Sequence, residues 1–262
     1  MNTKMILLSG AISSVCVASS VDADTYGLLQ DDISAVVPLE TDSDGNAKEC
    51  GLYLRIGAGV NFVMDSDGED IFYSFAGTTG TVENKVLKFE TGFEFNIAIG
   101  VPLTEQWSIE IMTGVAMNGL GSSTADAFVT NGITSLTGVS TFDDGDLYQV
   151  PIVANVRYEF DLNETLGLGV YAGAGAQYNN IKLRDGFFVE PGMAPIVLPG
   201  NTENTWSFRY QIGVDLFWDI AAGTTLGLNV RYSGTSDNDF AAFGTYGSFN
   251  NATIGATFSY TF

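Results

Sequence analysis

Residues 250–262, NNATIGATFSYTF, set the terms on which the whole chain is read. From Ala252 onward the even positions are Ala252, Ile254, Ala256, Phe258, Tyr260 and Phe262, and the odd positions are Thr253, Gly255, Thr257, Ser259 and Thr261. A strand turns successive side chains to opposite faces, so this period of two predicts a strand between unlike environments, one apolar and one small and polar. Which face meets which environment decides the architecture.

Working back from that segment, the same alternation recurs over 51–64, 88–101, 107–118, 148–160, 166–178, 206–218 and 225–233, eight predicted strands in all with 252–262. In 51–64, for example, Leu52, Leu54, Ile56, Ala58, Val60, Phe62 and Met64 share one face, opposite Tyr53, Arg55, Gly57, Gly59 and Asn61. The connections alternate in length. PLTEQ (102–106), DLNET (161–165) and DIAAGT (219–224) are short turns, whereas 65–87, 119–147, 179–205 and 234–251 are long and rich in Gly, Ser, Thr, Asn and Asp. Short turns on one side and long loops on the other is the habit of transmembrane barrels. An even strand count also brings both ends of the barrel to the short-turn side.

None of the apolar-face positions in these eight segments is charged, and only Thr91 and Thr113 among them are polar. Eight strands enclose room for modest side chains or one small ligand. A face so rich in Phe, Tyr and Trp cannot fit inside and has to point outward, into lipid. A soluble lipid-binding barrel would require the opposite facing. Trp206 and Trp218 lie on one outward face, as do Tyr148 and Phe160; twelve residues of strand at about 3.3 Å rise and ~40° tilt give a vertical separation of about 30 Å. That matches two aromatic girdles at membrane interfaces, and the predicted girdle residues are Trp107, Tyr148, Tyr158, Phe160, Trp206, Trp218, Tyr260 and Phe262.

The chain of 262 residues carries 31 Asp and Glu against 10 Lys and Arg, a formal net charge of −21. Phosphate neutralisation needs Lys and Arg, so nucleic acid is excluded as a partner. Residues 1–23 combine Lys4, an apolar run from Met5 to Val17 and small residues before Asp24, the layout of a signal peptide cleaved after Ala23. A lipoprotein reading through Cys16 is the alternative, weakened by Val15 before it; with cleavage after Ala23 only Cys50 remains and no intrachain disulfide forms. Residues 24–50 hold Asp24, Asp31, Asp32, Glu40, Asp42, Asp44 and Glu49 against Lys48, without sustained periodicity, and are expected to be an acidic, mobile segment before a barrel at 51–262. No later stretch approaches the ~20 apolar residues of a membrane-spanning helix, which leaves strands free to span.

ATFSYTF (256–262), YQVPIVANVRYEF (148–160), the Gly-rich VYAGAGAQY (170–178) and WSFRYQIGV (206–214) together resemble the small eight-stranded outer-membrane β-barrels of Gram-negative bacteria, of the OmpA-like and opacity-protein-like kind. The resemblance covers about 51–262. It implies an all-β, eight-stranded antiparallel up-and-down transmembrane β-barrel with four long extracellular loops and three short periplasmic turns, embedded as a monomer in outer-membrane lipid. In that family a terminal aromatic residue resembles the signal read by the outer-membrane assembly machinery, a role that falls here on Phe262. The acidic 24–50 segment departs from the shortest members, and no periplasmic peptidoglycan-binding domain is expected after the barrel.

The chain contains no histidine, so neither a Ser-His-Asp arrangement nor a His metal site can be assembled, and the enzymes of the resembling family look to a His for proton transfer. No catalytic role, cofactor or metal is expected. The inward positions instead carry Arg55, Arg157, Arg209 and Arg231 with Glu90, Glu94, Glu110, Glu159 and Asp215. Arg55, Glu110, Arg157 and Glu159 fall toward the short-turn end; Glu90, Glu94, Arg209 and Arg231 fall toward the loops. Buried charges persist when paired and hydrogen-bonded, which predicts ion-pair networks plugging the lumen. The alternative is a narrow, gated path for ions or small solutes.

In the loops, DSDGED (65–70), FDDGD (142–146) and SDND (236–239) read as solvated acidic tips; Gly68 stands fourth in its run, where an EF-hand calcium loop needs Gly sixth and Glu twelfth. Phe72, Tyr73, Phe75, Phe187 and Phe188 are candidates to meet a partner or to cover the barrel mouth. Exposed loops on a rigid scaffold are where recognition usually sits. The expected role is structural or surface-interacting, with an extracellular ligand met through 65–87, 119–147, 179–205 and 234–251.

Overall fold

The computed structural model describes residues 51–75, 78–130, 135–142, 144–241 and 244–262. The predicted signal peptide and acidic segment lie outside them. Every regular element among the described residues is a strand. Eight of these close a barrel: β1 (Tyr53–Val63), β2 (Gly92–Pro102), β3 (Trp107–Leu120), β4 (Gly145–Asp161), β5 (Leu166–Leu183), β6 (Asn201–Ala221), β7 (Thr224–Thr235) and β8 (Asn251–Thr261). Each pairs antiparallel with its neighbours in chain order, and β8 returns to β1 with Tyr53 opposite Thr261 and Val63 opposite Asn251. The eight strands expected from the alternation are therefore the eight staves of the barrel.

Side-chain hydrogen bonds shape the short turns. Thr104 Oγ1 accepts from the backbone N–H of Trp107 at 3.0 Å, and Asn163 Oδ1 accepts from those of Thr165 and Leu166 at 3.0 and 2.9 Å. These are the local bonds by which Thr and Asn mimic a turn backbone. Between β6 and β7, Gly223 adopts φ 68°, a left-handed conformation that glycine reaches without a Cβ clash.

The long connections depart from expectation. Short strands within them form a nine-stranded sheet, a crown continuing the barrel wall at its loop end. It contains Ser66–Gly68, Ile71–Phe75, Thr78–Leu87, Ser123–Thr130, Ser135–Phe142, Gly186–Val189, Ile196–Leu198, Asn238–Phe240 and Gly244–Tyr246. Ser123–Thr130 and Ser135–Phe142 pair residue by residue from Ser123 opposite Phe142 to Thr130 opposite Ser135. Their Ser, Thr and Gly content hides the strands, because small polar residues carry little hydrophobic period even where the backbone pairs fully.

The expected strand 88–101 is also divided. Residues through Leu87 belong to the crown, Phe89 makes an isolated bridge to Leu120, and β2 starts at Gly92. Within the crown the pairing of 78–87 with 123–130 shifts register between Glu83 and Val86, where Asn84 sits at φ 52°. Asn tolerates this left-handed conformation better than most residues.

Burial divides the barrel wall by face. Outward side chains such as Phe93, Ile212 and Trp206 are exposed, whereas inward Asn61, Glu110, Gln149, Asn155 and Arg209 are almost wholly buried. The largest apolar cluster lies at the loop end. There Val63, Leu120, Leu147, Ile181 and Leu183 from the barrel strands meet Leu87, Phe240, Tyr246 and Phe249.

Candidate functional site

Two polar layers and one apolar layer fill the lumen. In the layer nearest the turns, Arg55 donates to Glu110 and, at 2.9 Å, to Asp215. Arg157 donates to the same Asp215 oxygen and, at 2.6 Å, to Glu159. Asp215 is thus shared by two guanidiniums. Its second oxygen accepts from Asn229, while Glu110 accepts from Asn155 at 3.0 Å and Tyr53 at 3.3 Å. The Arg55 guanidinium also lies 5.4 Å from the Tyr171 ring centroid, and that of Arg157 lies 5.7 Å from Phe217. Lumen glycines make room for these groups: a Cβ at Gly169 would strike the Arg157 guanidinium, and one at Gly213 the Tyr171 ring.

The second polar layer has fewer acids. Arg231 pairs with Glu94, whose other oxygen accepts from Thr253 at 3.0 Å. Arg209 finds amides and hydroxyls in place of an acid, donating to Gln177 and, at 2.9 Å, to Ser233. Hydrogen bonds between side-chain amides extend the layer: Gln177 donates to Asn179 at 2.6 Å, Asn179 to Asn238 at 2.7 Å and Asn251 to Gln149 at 3.1 Å. Gln211 joins the two layers by donating to Asn155 at 2.7 Å. Met112, packed with Ala98 and Val153, fills the space beside Arg231.

Above these layers, Phe249 and Phe240 stack with centroids 6.2 Å apart. Phe89 meets Phe249 edge-on at 5.4 Å, and Tyr246 meets Phe240 at 6.3 Å. Lys85 lies with its ammonium 4.8 Å from the Tyr246 ring centroid. Burial lowers the Lys85 pKa against the opposing pull of Asp70 and Glu69, and burial pushes the Tyr246 hydroxyl up to about 12. A solute entering from the loops would have to part this apolar layer before it reached the charges.

The structure thus brings Arg55, Glu94, Glu110, Arg157, Glu159, Arg209, Asp215 and Arg231 to the lumen wall, with Glu159 partly exposed at the turn end. Glu90 is the correction. Its side chain is exposed at the rim, and its backbone supplies the contacts, donating to Gly119 O at 2.8 Å and accepting from Asn118 at 2.9 Å. The wall does not become regular until Gly92, so Glu90 falls outside the inward register of β2.

Aromatic residues gather at two heights on the outer wall. Toward the turns, Trp107 packs edge-on against Tyr158 at 4.7 Å, Tyr158 against Phe160 at 4.6 Å and Tyr260 against Phe262 at 5.1 Å. The Phe262 N–H donates to Leu52 O at 2.9 Å, tying the terminal aromatic to the start of β1. Trp218 is opposite Leu166 and Leu226. At the other height, Tyr178 meets Trp206 at 5.3 Å, and Tyr148 stands exposed on β4.

The apolar layer was missed in the sequence because Phe240, Tyr246 and Phe249 sit among Gly, Asn and Ser. A signal was present in Leu147, Ile181 and Leu183, which continue the inward register of β4 and β5 with apolar residues where polar ones had preceded. Of the loop aromatics singled out, Phe72 and Phe187 are exposed and Phe188 is buried; the side chains of Tyr73 and Phe75 lie outside the described set. Among the described residues no group of three acidic or sulfur ligands is placed to hold a metal ion.

A family model for the outer membrane protein beta-barrel domain matches residues 47–262. No curated protein matches the sequence. Among solved structures, Neisserial surface protein A is 13% identical, with 80% of this chain and 97% of that chain covered and a TM-score of 0.44. The attachment invasion locus protein Ail of Yersinia pestis is 14% identical, covering 79% and 98%, with a TM-score of 0.37. The outer membrane protein OprG of Pseudomonas aeruginosa is 11% identical, covering 80% and 96%, with a TM-score of 0.40. Likenesses of this strength do not bear on the role of the chain.

Proposed function

The chain belongs to the outer membrane protein beta-barrel domain family, and from that premise we propose that it is a non-catalytic, monomeric surface protein whose extracellular crown makes adhesin-like contacts while the barrel serves as its anchor. The observation that carries this reading is the filled lumen: paired charges toward the periplasm and the Phe240–Phe249 stack toward the outside leave the crown as the surface free to work. Export by cleavage after Ala23 and insertion directed by Phe262 belong to the same reading. So do the two aromatic levels as girdles at the lipid interfaces.

Single-channel recording on the refolded mature protein in a planar bilayer tests it, with a heat-modifiability gel to establish insertion. Inserted protein is expected to stay silent. Steady openings would replace this reading with that of a narrow channel for ions or small solutes, for which the charged lumen layers would supply the path.

A further inference from the structure

The outer side of the crown carries apolar side chains that its own strands leave exposed. In one register Phe72 is opposite Thr81, Thr81 opposite Phe128 and Phe128 opposite Thr137. In the next, Glu83 is opposite Asp126, Asp126 opposite Val139 and Val139 opposite Val189. A third runs from Thr124 through Thr141 and Phe187 to Val197. Directly opposed residues in an antiparallel sheet share a face, so these registers form one surface, roughly 24 Å across from 71–75 to 196–198 at ~4.8 Å per strand step.

Phe72 is 77% exposed and Val197 59%, with Phe128, Val139, Phe187 and Val189 also exposed. On the other side of the same strands Ala127 and Phe188 are buried. The exposed set is therefore a second apolar face, distinct from the one that fills the crown. Large apolar side chains exposed together, here interleaved with Thr and rimmed by Glu83 and Asp126, mark an interaction site.

Charge selects the occupant. Glu83 and Asp126 stand exposed side by side in the middle register, with Asp126 accepting from the Asn84 amide at 2.9 Å. None of the three registers contains Lys or Arg. Of the cations in the described residues, the arginines at 55, 157, 209 and 231 are in the lumen and Lys85 is buried beside Tyr246; Lys88, Lys182 and Arg184 belong to other positions. The acidic 24–50 segment carries like charge, and a second copy in a two-fold contact would set Glu83 and Asp126 against themselves; like charges brought together oppose association.

We propose that this face binds a cationic amphipathic polypeptide, its apolar side chains lying on the Phe and Val positions and its Lys or Arg side chains meeting Glu83 and Asp126. The assignment rests on the surface-interaction reading above and adds to it the chemistry of the partner.

The test uses the refolded protein in zwitterionic-lipid nanodiscs, with empty nanodiscs as blank and three probes: alternating Lys–Val, Lys–Ser and Glu–Val peptides of equal length. The Lys–Val peptide is expected to bind best, its affinity falling with salt. The paired variants Glu83→Gln with Asp126→Asn, and Phe128→Ser with Phe187→Ser, are each expected to weaken it about tenfold while keeping heat-modifiability. Equal binding of Lys–Val and Lys–Ser, or affinity indifferent to both paired variants, overturns the proposal. Self-association of the wild type that the Phe128→Ser with Phe187→Ser variant abolishes also overturns it, assigning the face to a second copy. Failure here together with a silent lumen removes this partner and leaves the surface-interaction reading in place; steady conductance removes that reading itself.

Discussion

The same strands pass through two regions of opposite polarity. On the turn side of Tyr148, β4 turns Val150 and Ile152 outward and Gln149 and Asn155 inward; on the loop side it turns Asp146 outward and Leu147 inward. Its neighbour β5 changes likewise, from Ala176 and Tyr178 outward with Gln177 inward to Lys182 outward with Ile181 and Leu183 inward. Backbone pairing continues through the change without a break, from Val150 opposite Tyr178 to Gly145 opposite Leu183. The difference teaches that strand pairing and polarity are separable. In β4 and β5 pairing follows the backbone, whereas the apolar face turns toward lipid within the membrane and toward the protein's own interior beyond it.

The two regions should therefore fail for different reasons. The largest effect is expected in the membrane region, from Asp215→Ala. This leaves Arg55 and Arg157 without their shared carboxylate, and breaking a buried pair from one side costs about 3–5 kcal/mol. Urea unfolding of the refolded barrel, followed by loss of heat-modifiability, checks it. Phe249→Ala should cost a comparable or somewhat smaller amount, about 3–5 kcal/mol for a buried Phe, but in the apolar layer on which the crown rests. Protease cleavage of the loops should rise while the barrel still resists unfolding. If the barrel unfolds as readily as the crown, the two regions are one cooperative unit.

A pH series separates them further. Tyr246 holds its proton more tightly folded than unfolded, with its pKa raised to about 12 from 10.0. Its contribution is complete below about pH 10 and is lost as pH rises from about 10 to 12, a change of about 3 kcal/mol. Lys85, whose folded pKa is lowered, gains stability as pH rises toward its ordinary 10.5, so its opposing slope lies mainly below that window. Crown protection should fall through that window in the wild type, and Tyr246→Phe should remove most of the wild-type slope. The smallest effect is expected from Glu90→Gln. With an exposed side chain outside the lumen network it should change stability by no more than about 0.5 kcal/mol. A loss several times larger would return Glu90 to the lumen network.

The lumen charges were legible because inward parity within a regular strand places a residue without ambiguity: Arg55, Glu110, Arg157 and Asp215 all lie in uninterrupted stretches of barrel strand. Partner choice was less legible. Asp215 joins the turn-end layer through Arg55 and Arg157, and Arg209 takes Gln177 and Ser233 in place of an acid, since cross-barrel distance has no counterpart in sequence spacing. Glu90 shows the limit of parity, which holds only while the strand does. Phe240 and Phe249 show another, because their neighbours become apolar only when separate loops fold over one mouth.

What the sequence by itself determined was the number and order of the membrane strands, their outward face, the three short turns and the two aromatic levels. Each depends on a local period of two or on spacing along one strand, which covalent geometry converts directly into direction and height. Only the tertiary structure decided which charges pair, that the loops assemble into a crown, and that an apolar layer gathers at the lumen mouth beneath it. Those contacts join residues far apart in the chain, such as Arg231 with Glu94 and Phe89 with Phe249, and become neighbours only through closure of β8 on β1 and the docking of loops from different staves.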